Sequence, residues 1–366
     1  MDYSGENRYF RFTDGCCEAI SPQGVTVSAA VSLGSRLAAG FRRFSVACDG
    51  FTHIHHLYAL CSGISAAGRD VYVYENSDLP SFRFGFPLLS SDCGLFISES
   101  GTLRISVFGA DRLRVSADII AELMKADEAP PALKNGKIIP AGSFRELYIA
   151  NIREKLGKCH ELNAGVSCGS RSVRTLWEEI FTQNDGRLVF QVSADGQSVN
   201  AYSQENGFIP SDKLILAYAA IMSDENGLPV PEGFHFQADE AGMRIKRSGR
   251  GELSGMPSEK IRHLYDPLYM CAVLASDRGR FENVVRTLPQ LGSSRREIPM
   301  RFRNKQSFRQ TVVLPDGVIR LIRSGPERIS LIAQARSAET ASELCSEWCG
   351  RLAKIADVGF DKDITI

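Results

Sequence analysis

The groups most able to do chemistry are gathered in one stretch, Ser91 to Asp111. An apolar run, Leu95 to Ile97, ends in small polar residues, and an alternating segment, Leu103 to Phe108, follows at once. That pattern presents a hydroxyl at a strand end, where the strand fixes a nucleophile and the turn exposes it. His53, His55 and His56 form a second set, since imidazoles are common metal ligands. Only His53 and His56 share a helical face, and no carboxylate or thiol is spaced to complete a shell, so they read as solvated or helix-start histidines. A third place, around Asp195 in Ser193-Ala194-Asp195-Gly196-Gln197-Ser198, reads by itself as a surface β-turn. Arg244, Lys246, Arg247 and Arg250 crowd a fourth place and read equally as an anion attractor or a charge-rich turn.

Composition limits what these groups can serve. Across 366 residues, 43 Lys and Arg balance 43 Asp and Glu, so the overall charge calls for neither a nucleic acid nor an anionic membrane. The basic segment Arg295 to Gln310 reads as a strand with one wet face, and it lacks the interleaved aromatics that stack bases. No run of about 18 apolar residues occurs, and the opening Met1-Asp2-Tyr3-Ser4 has neither the basic region nor the apolar core of a signal peptide. A cytoplasmic protein is therefore expected, with no membrane partner. The ten cysteines are scattered without a Cys-x-x-Cys pair and read as buried, reduced thiols.

The elements that must position the candidates follow from periodicity. A short strand is expected around Tyr9 to Phe12, then a helix from Val25 to Ala39 opened by Ser21-Pro22. Strand Phe44 to Cys48, helix Leu57 to Ala67 and strand Val71 to Tyr74 make a βαβ unit. After the Ala129-Pro130-Pro131 breaker come helix 143–156, a strand near Asn163 to Cys168, helix Arg171 to Phe181 and strand Leu188 to Val192. Residues 207–222 read as a capped apolar helix, and helices are expected at Leu268 to Ala275 and Arg280 to Leu288. Strand Ile319 to Ile322, a loop Arg323 to Arg328, strand Ile329 to Gln334 and helix Ala338 to Ala353 close the chain.

Gly94 to Ile97 and Ile105 to Asp111 resemble the catalytic-serine segment of the α-D-phosphohexomutase superfamily, the phosphoglucomutases, phosphomannomutases and phosphoglucosamine mutases. Ser100 falls on the phosphorylated serine, with Gly101 and Thr102 where the pattern has His and Asn. The resemblance continues through Ala66 to Val71, Leu79-Pro80 and the later motifs. Cys17, Cys48 and Asn200 stand at positions of arginines in the superfamily. Asp195 and Gly196 match its Asp-Gly-Asp-x-Asp-Arg magnesium loop, in which Gln197 and Val199 replace the other two carboxylates. Gly251 to Met256 is similar to the sugar-recognition loop, which places Glu252 and Ser254 against sugar hydroxyls. Arg323, Ser324, Gly325 and Glu327 resemble the loop that grips the distal phosphate, for which a guanidinium, a hydroxyl and loop amides suffice.

The resemblance implies a multi-domain α/β fold: three α/β mixed-sheet domains, 1–140, 141–200 and 201–292, plus a C-terminal α+β domain, 293–366, around a central cleft. Magnesium needs hard anionic oxygens in near-octahedral order, and one Asp beside Gln and Val does not supply them, so no metal is expected. Phosphoryl transfer depends on cations that spread charge, and removing one costs several powers of ten in rate. The implied function is a catalytically impaired mutase-like protein that binds a sugar phosphate or another small anion. The alternative is a divergent mutase working through phospho-Ser100 with magnesium.

Overall fold

The computed structural model describes residues 10–13, 16–19, 25–50, 53–99, 102–125, 128–157, 162–182, 186–223, 227–231, 235–243, 245–248, 253, 256, 259–300, 309–325 and 328–356. The chain divides into two compact units, one from residues 1–214 and 254–278, the other from 215–253 and 279–366.

The first unit is built on a seven-stranded sheet in the order β1-β2-β6-β5-β3-β4-β7. Its strands are β1 (Phe10–Thr13), β2 (Cys16–Ala19), β3 (Arg43–Cys48), β4 (Asp70–Tyr74), β5 (Cys93–Glu99), β6 (Leu103–Gly109) and β7 (Ile138–Pro140). β3 pairs in parallel with both β4 and β5, and β4 with β7, while β5, β6, β2 and β1 continue antiparallel. The central strands are apolar on both faces because helices cover both. Phe44, Val46, Leu95, Ile97, Ile105 and Val107 pack against α1 (Val27–Gly40), α2 (Ile54–Ala66) and α4 (Ala117–Lys125). Ala47, Phe96 and Phe108 point the other way, into an aromatic cluster with Phe82 of α3 (Leu79–Gly85), Phe86 and Phe144.

The helix ends have identifiable causes. Thr26, not Ser21-Pro22, caps α1, its hydroxyl accepting from the Ala29 amide at 3.1 Å. Asp78 caps α3 in the same way, with Pro80 in the first turn. α1 and α2 touch backbone to backbone at two glycines. A Cβ at Gly63 would lie 2.0 Å from the Val31 carbonyl oxygen, and one at Gly34 would lie 2.4 Å from that of Leu60.

A four-stranded sheet, β11-β10-β9-β8, completes the first unit with β8 (Gly165–Cys168), β9 (Leu188–Val192), β10 (Val199–Ser203) and β11 (Gly207–Ile209). β8 and β9 are parallel across α6 (Arg171–Glu178), whose Trp177 stacks with Phe181 and meets Phe190. α5 (Arg145–Leu156) precedes them. Gly207–Ile209 is a strand rather than the start of a helix, because its residues pair with Ala201, Tyr202 and Ser203 before Pro210 ends the ladder. The helix that follows begins only at Ser211.

The second unit holds a parallel pair, β12 (Leu228–Pro231) and β13 (Ile245–Ser248), and an antiparallel sheet in the order β14-β17-β16-β15. Its strands are β14 (Gly292–Pro299), β15 (Arg309–Leu314), β16 (Gly317–Gly325) and β17 (Arg328–Ala335). Ile319, Leu321, Ile329, Leu331 and Ala333 bury one face against Cys345, Trp348 and Leu352 of the last helix, Ala338–Ala356. The single strand expected over Arg295 to Gln310 is two described strands, with Pro299 closing the first and residues 301–308 outside the described set.

The glycine contact makes a stability prediction. Gly63→Val should cost about 3 kcal/mol, because a branched side chain would have to push the Val31 backbone away. Gly350 lies in a helix, and a Cβ added there would meet only open space. Gly350→Ala should therefore stabilise by about 0.5–1 kcal/mol. Urea midpoints of the two variants moving in the same direction would contradict this packing.

Candidate functional site

In an open sheet, ligands bind where strand order reverses, beyond the carboxyl ends of the strands. Here that point lies between β3 and β5, since the chain leaves β3 toward β4 and then returns to the other side of β3. β3 ends at Cys48, followed by Asp49 and Gly50, and β5 ends at Glu99. His53, at the start of α2, reaches across this crevice, with Nε2 3.0 Å from Oε2 of Glu99. The predicted nucleophile, Ser100, follows Glu99 directly and lies outside the described residues.

The described groups at this edge are mostly anionic. Burial at the strand end and then the nearby Asp78 raise the Asp49 pKa, while His53 opposes them. The Tyr58 hydroxyl donates to Glu75, and that bond is the main reason its pKa is raised. The Cys48 thiol donates to the carbonyls of Gly50 and Glu75, each at 3.0 Å. Burial first, then Asp49 and Glu75, pushes it up to about 11. It is thus neutral and turned inward, at a position where the resemblance implies an arginine.

The other two such positions are also engaged in structure. Cys17 is fully buried in the core, which holds its pKa well above the usual thiol range. Asn200 accepts the Ser211 amide at 3.1 Å, fastening the start of the helix Ser211–Met222.

The Asp195 turn connects β9 to β10. Asp195 Oδ1 accepts from the Ser193 hydroxyl at 2.6 Å and from the Gln197 amide at 3.1 Å, so the carboxylate closes its own turn. Gly196 has φ +70 and lies against Pro80 at the start of α3, where a Cβ would approach the proline ring to 2.8 Å. Gln197 Oε1 accepts from the Arg83 guanidinium on α3. Arg83 is buried, bonds the Arg112 carbonyl through Nε at 2.5 Å, and lies over the rings of Phe108 and Tyr265. Burial, then the nearby Arg114, lowers its pKa to about 9.

These residues do not fit a magnesium ion. One oxygen of Asp195 is committed to the turn, and a guanidinium already occupies the Gln197 carbonyl where a cation would have to bind. Among the described residues no three His, Cys, Asp or Glu side chains gather as a metal site. His53 is a helix-start residue as expected. His56 is not solvated, because it is buried and its Nε2 lies 2.7 Å from the Val25 carbonyl oxygen. Nine cysteines are described, and all are free.

Glu252, Ser254 and Glu327 lie outside the described residues, as do Arg244 and Arg250. Arg323, Ser324 and Gly325 belong to β16 rather than to a loop. Arg323 pairs with Ile329 and Gly325 with Arg328, with a register shift between them, because the hairpin ladder extends almost to its tip. The structure brings His53, Asp49 and Glu99 together, a grouping that sequence reasoning missed because 46 residues separate the paired His and Glu. Arg83 was missed too: its place before Phe84 and Gly85 carries no signal of burial.

The fold is that of known phosphohexomutase structures. A candidate phosphomannomutase from Thermus thermophilus aligns with TM-score 0.63 and 13% identity, over 94% of this chain and 99% of that one. A phosphoglucomutase/phosphomannomutase family protein from Burkholderia thailandensis aligns with TM-score 0.67 and 15% identity, over 98% and 99%. The phosphoglucomutase parafusin from Paramecium reaches TM-score 0.50 at 11% identity, over 100% and 97%. No protein-family model and no curated protein matches the chain. No helix among the described residues is long and apolar enough to cross a membrane.

The crevice makes a pH prediction. Folding raises the Asp49 pKa, so its ionised form destabilises the native state above that raised value and ceases to do so below the ordinary carboxylate range. Asp49→Asn should raise the melting temperature at neutral pH, and the gain should vanish as acid carries the solution through that window. A gain that persists unchanged in acid would exclude Asp49 as its source.

Proposed function

We propose that this chain descends from the phosphohexomutases, has lost their phosphoryl-transfer centre, and binds a sugar phosphate or another small anion. The observation that carries this reading is that the positions matched to the metal loop and to three arginines now serve internal packing, capping and turn closure. A transferring phosphoryl group needs cations around it. The described carboxyl ends of β3, β4 and β5 instead present Asp49, Glu75 and Glu99, whose charge would oppose a dianion.

Anion binding is assigned to Arg323, Ser324 and Gly325 on β16 with Glu327 beyond it, and sugar recognition to Glu252 and Ser254. Arg and Ser suit a phosphate because a guanidinium fork and a hydroxyl donate several charge-assisted bonds to its oxygens. Residence in a reducing compartment, as in the cytoplasm, accords with free thiols. The second reading, an active mutase, draws on the pairing of Cys93–Glu99 with Leu103–Gly109, the two strands between which Ser100 falls in the sequence, since β5 borders the reversal point of the sheet.

Incubation with glucose 1,6-bisphosphate and magnesium, followed by intact-mass measurement, separates the two. The expected result is an unmodified chain that still binds glucose 1-phosphate by calorimetry, with affinity reduced on the order of tenfold or more in Arg323→Ala. A stable phosphate on Ser100 with magnesium-dependent conversion of glucose 1-phosphate would replace the binder with the mutase. Binding unaffected by Arg323→Ala would remove the assignment of the phosphate loop.

A further inference from the structure

The opposite edge of the seven-stranded sheet carries a cleft of about 340 Å³ lined by Arg42, Arg43, Arg69, Asp70, Ser90 and Asp92. Arg43 and Asp70 are the first residues of β3 and β4, and Asp92 precedes β5, so the cleft lies at the amino ends of three parallel strands. β3 has six residues at ~3.3 Å rise, which puts this cleft about 20 Å along the strand from the Asp49 crevice.

The two carboxylates in the cleft face backbone, not arginine. Asp92 accepts from the amides of Arg42, at 3.0 and 3.2 Å, and Arg43, at 2.9 Å. Asp70 accepts the Lys137 amide at 2.8 Å. The Arg69 Nε donates to the Ala38 carbonyl at 3.2 Å, which fixes the base of that guanidinium. Arg42 and Arg43 are exposed, and among the described residues no carboxylate lies within ion-pair reach of any of the three guanidinium groups. Ser90 adds a hydroxyl at the rim from a left-handed backbone position, φ 57.

We propose that this cleft binds the phosphate group of a small phosphorylated metabolite, at a site separate from Arg323. Arginine forks match phosphate oxygens two at a time, and carboxylates already bonded to backbone amides repel an incoming anion less than free ones do. A volume of this size accommodates a phosphate with a small organic body. The cleft lies wholly within the first unit and does not rely on the phosphate-loop assignment in the second.

Calorimetric titration of the full chain with inorganic phosphate and with glucose 6-phosphate, at constant ionic strength, tests this. Arg42→Ser/Arg43→Ser should weaken one phosphate site on the order of tenfold or more, and Arg323→Ala should leave that site intact. Arg42→Lys/Arg43→Lys keeps the charge but loses the fork, and it should also weaken the site several-fold. The proposal fails if the wild type takes up no phosphate beyond what Arg323→Ala removes. It fails equally if the lysine pair binds as wild type does, since diffuse charge would then account for the uptake. Both doubles replace exposed side chains, so melting temperatures close to wild type are expected.

Discussion

The first unit depends on one buried ion pair. Arg262 Nε lies 2.8 Å from Asp266 Oδ2, and both side chains are almost fully enclosed. A charge pair in such a place is tolerable only when its remaining hydrogen-bonding capacity is used. Asp266 also accepts the Tyr148 hydroxyl at 2.5 Å and the Tyr269 amide at 3.0 Å, and Arg262 also donates to Asn151 at 2.7 Å. The Tyr269 ring lies 3.9 Å from the guanidinium carbon, and the buried Nη2 of Arg262 is left without a hydrogen-bond partner among the described residues, so most but not all of the pair's capacity is used. Tyr148 and Asn151 belong to α5, whereas Arg262 and Asp266 belong to the segment that rejoins the unit after an excursion of 39 residues, 215–253. Loss of either charged partner would strand the other in low dielectric, at a cost of about 3–5 kcal/mol. The returning segment is therefore fixed to α5 by polar chemistry, and it also delivers Tyr265 to the guanidinium groups of Arg83 and Arg112.

That delivery links packing to the fate of the Asp195 turn. Arg83 lies over Phe108 of β6 and Tyr265 of the returning segment, and its forward nitrogen holds Gln197. The cation at this turn is one covalently attached to α3. Burial lowers the Arg83 pKa, but a value of about 9 keeps it charged at neutral pH. The Gln197 carbonyl thus has a permanent electrostatic partner and is not open to a divalent ion.

The layers were legible in the sequence where periodicity was strong. Strand Leu188–Val192 and helix Arg171–Glu178 stand where the apolar pattern put them, with the helix three residues shorter, and β3, α2 and β4 follow their predicted order. The misreadings have local physical causes. Gly-Phe-Ile-Pro looks like a helix entrance when its cross-strand partners at Ala201 to Ser203 are unknown. Arg323 to Gly325 reads as a loop because Ser and Gly favour turns, yet hairpin pairing draws them into β16. Candidate site chemistry was less legible than the fold. Arg83 was invisible because arginine is ordinarily a surface residue, and only the converging aromatic rings make its burial tolerable. His53 meets Glu99 only because the strand order sets β5 beside β3.

A net charge of zero also conceals how charge is distributed over the sheet. At the carboxyl ends of the parallel strands stand Asp49, Glu75 and Glu99, and at the amino ends Arg42, Arg43 and Arg69 outnumber the amide-bonded Asp70 and Asp92. The two sets are about 20 Å apart, more than twice the Debye length at physiological salt, so neither screens the other's local field. A dianion approaching the first unit therefore meets repulsion at the edge where this fold commonly places its ligands and attraction at the opposite one. Cations at the carboxyl edge would reverse that preference, but Cys48, which ends β3 there, is a buried thiol whose pKa is pushed up to about 11. Placing a cation at Cys48 would thus exchange core packing for charge, which the surrounding apolar residues would oppose.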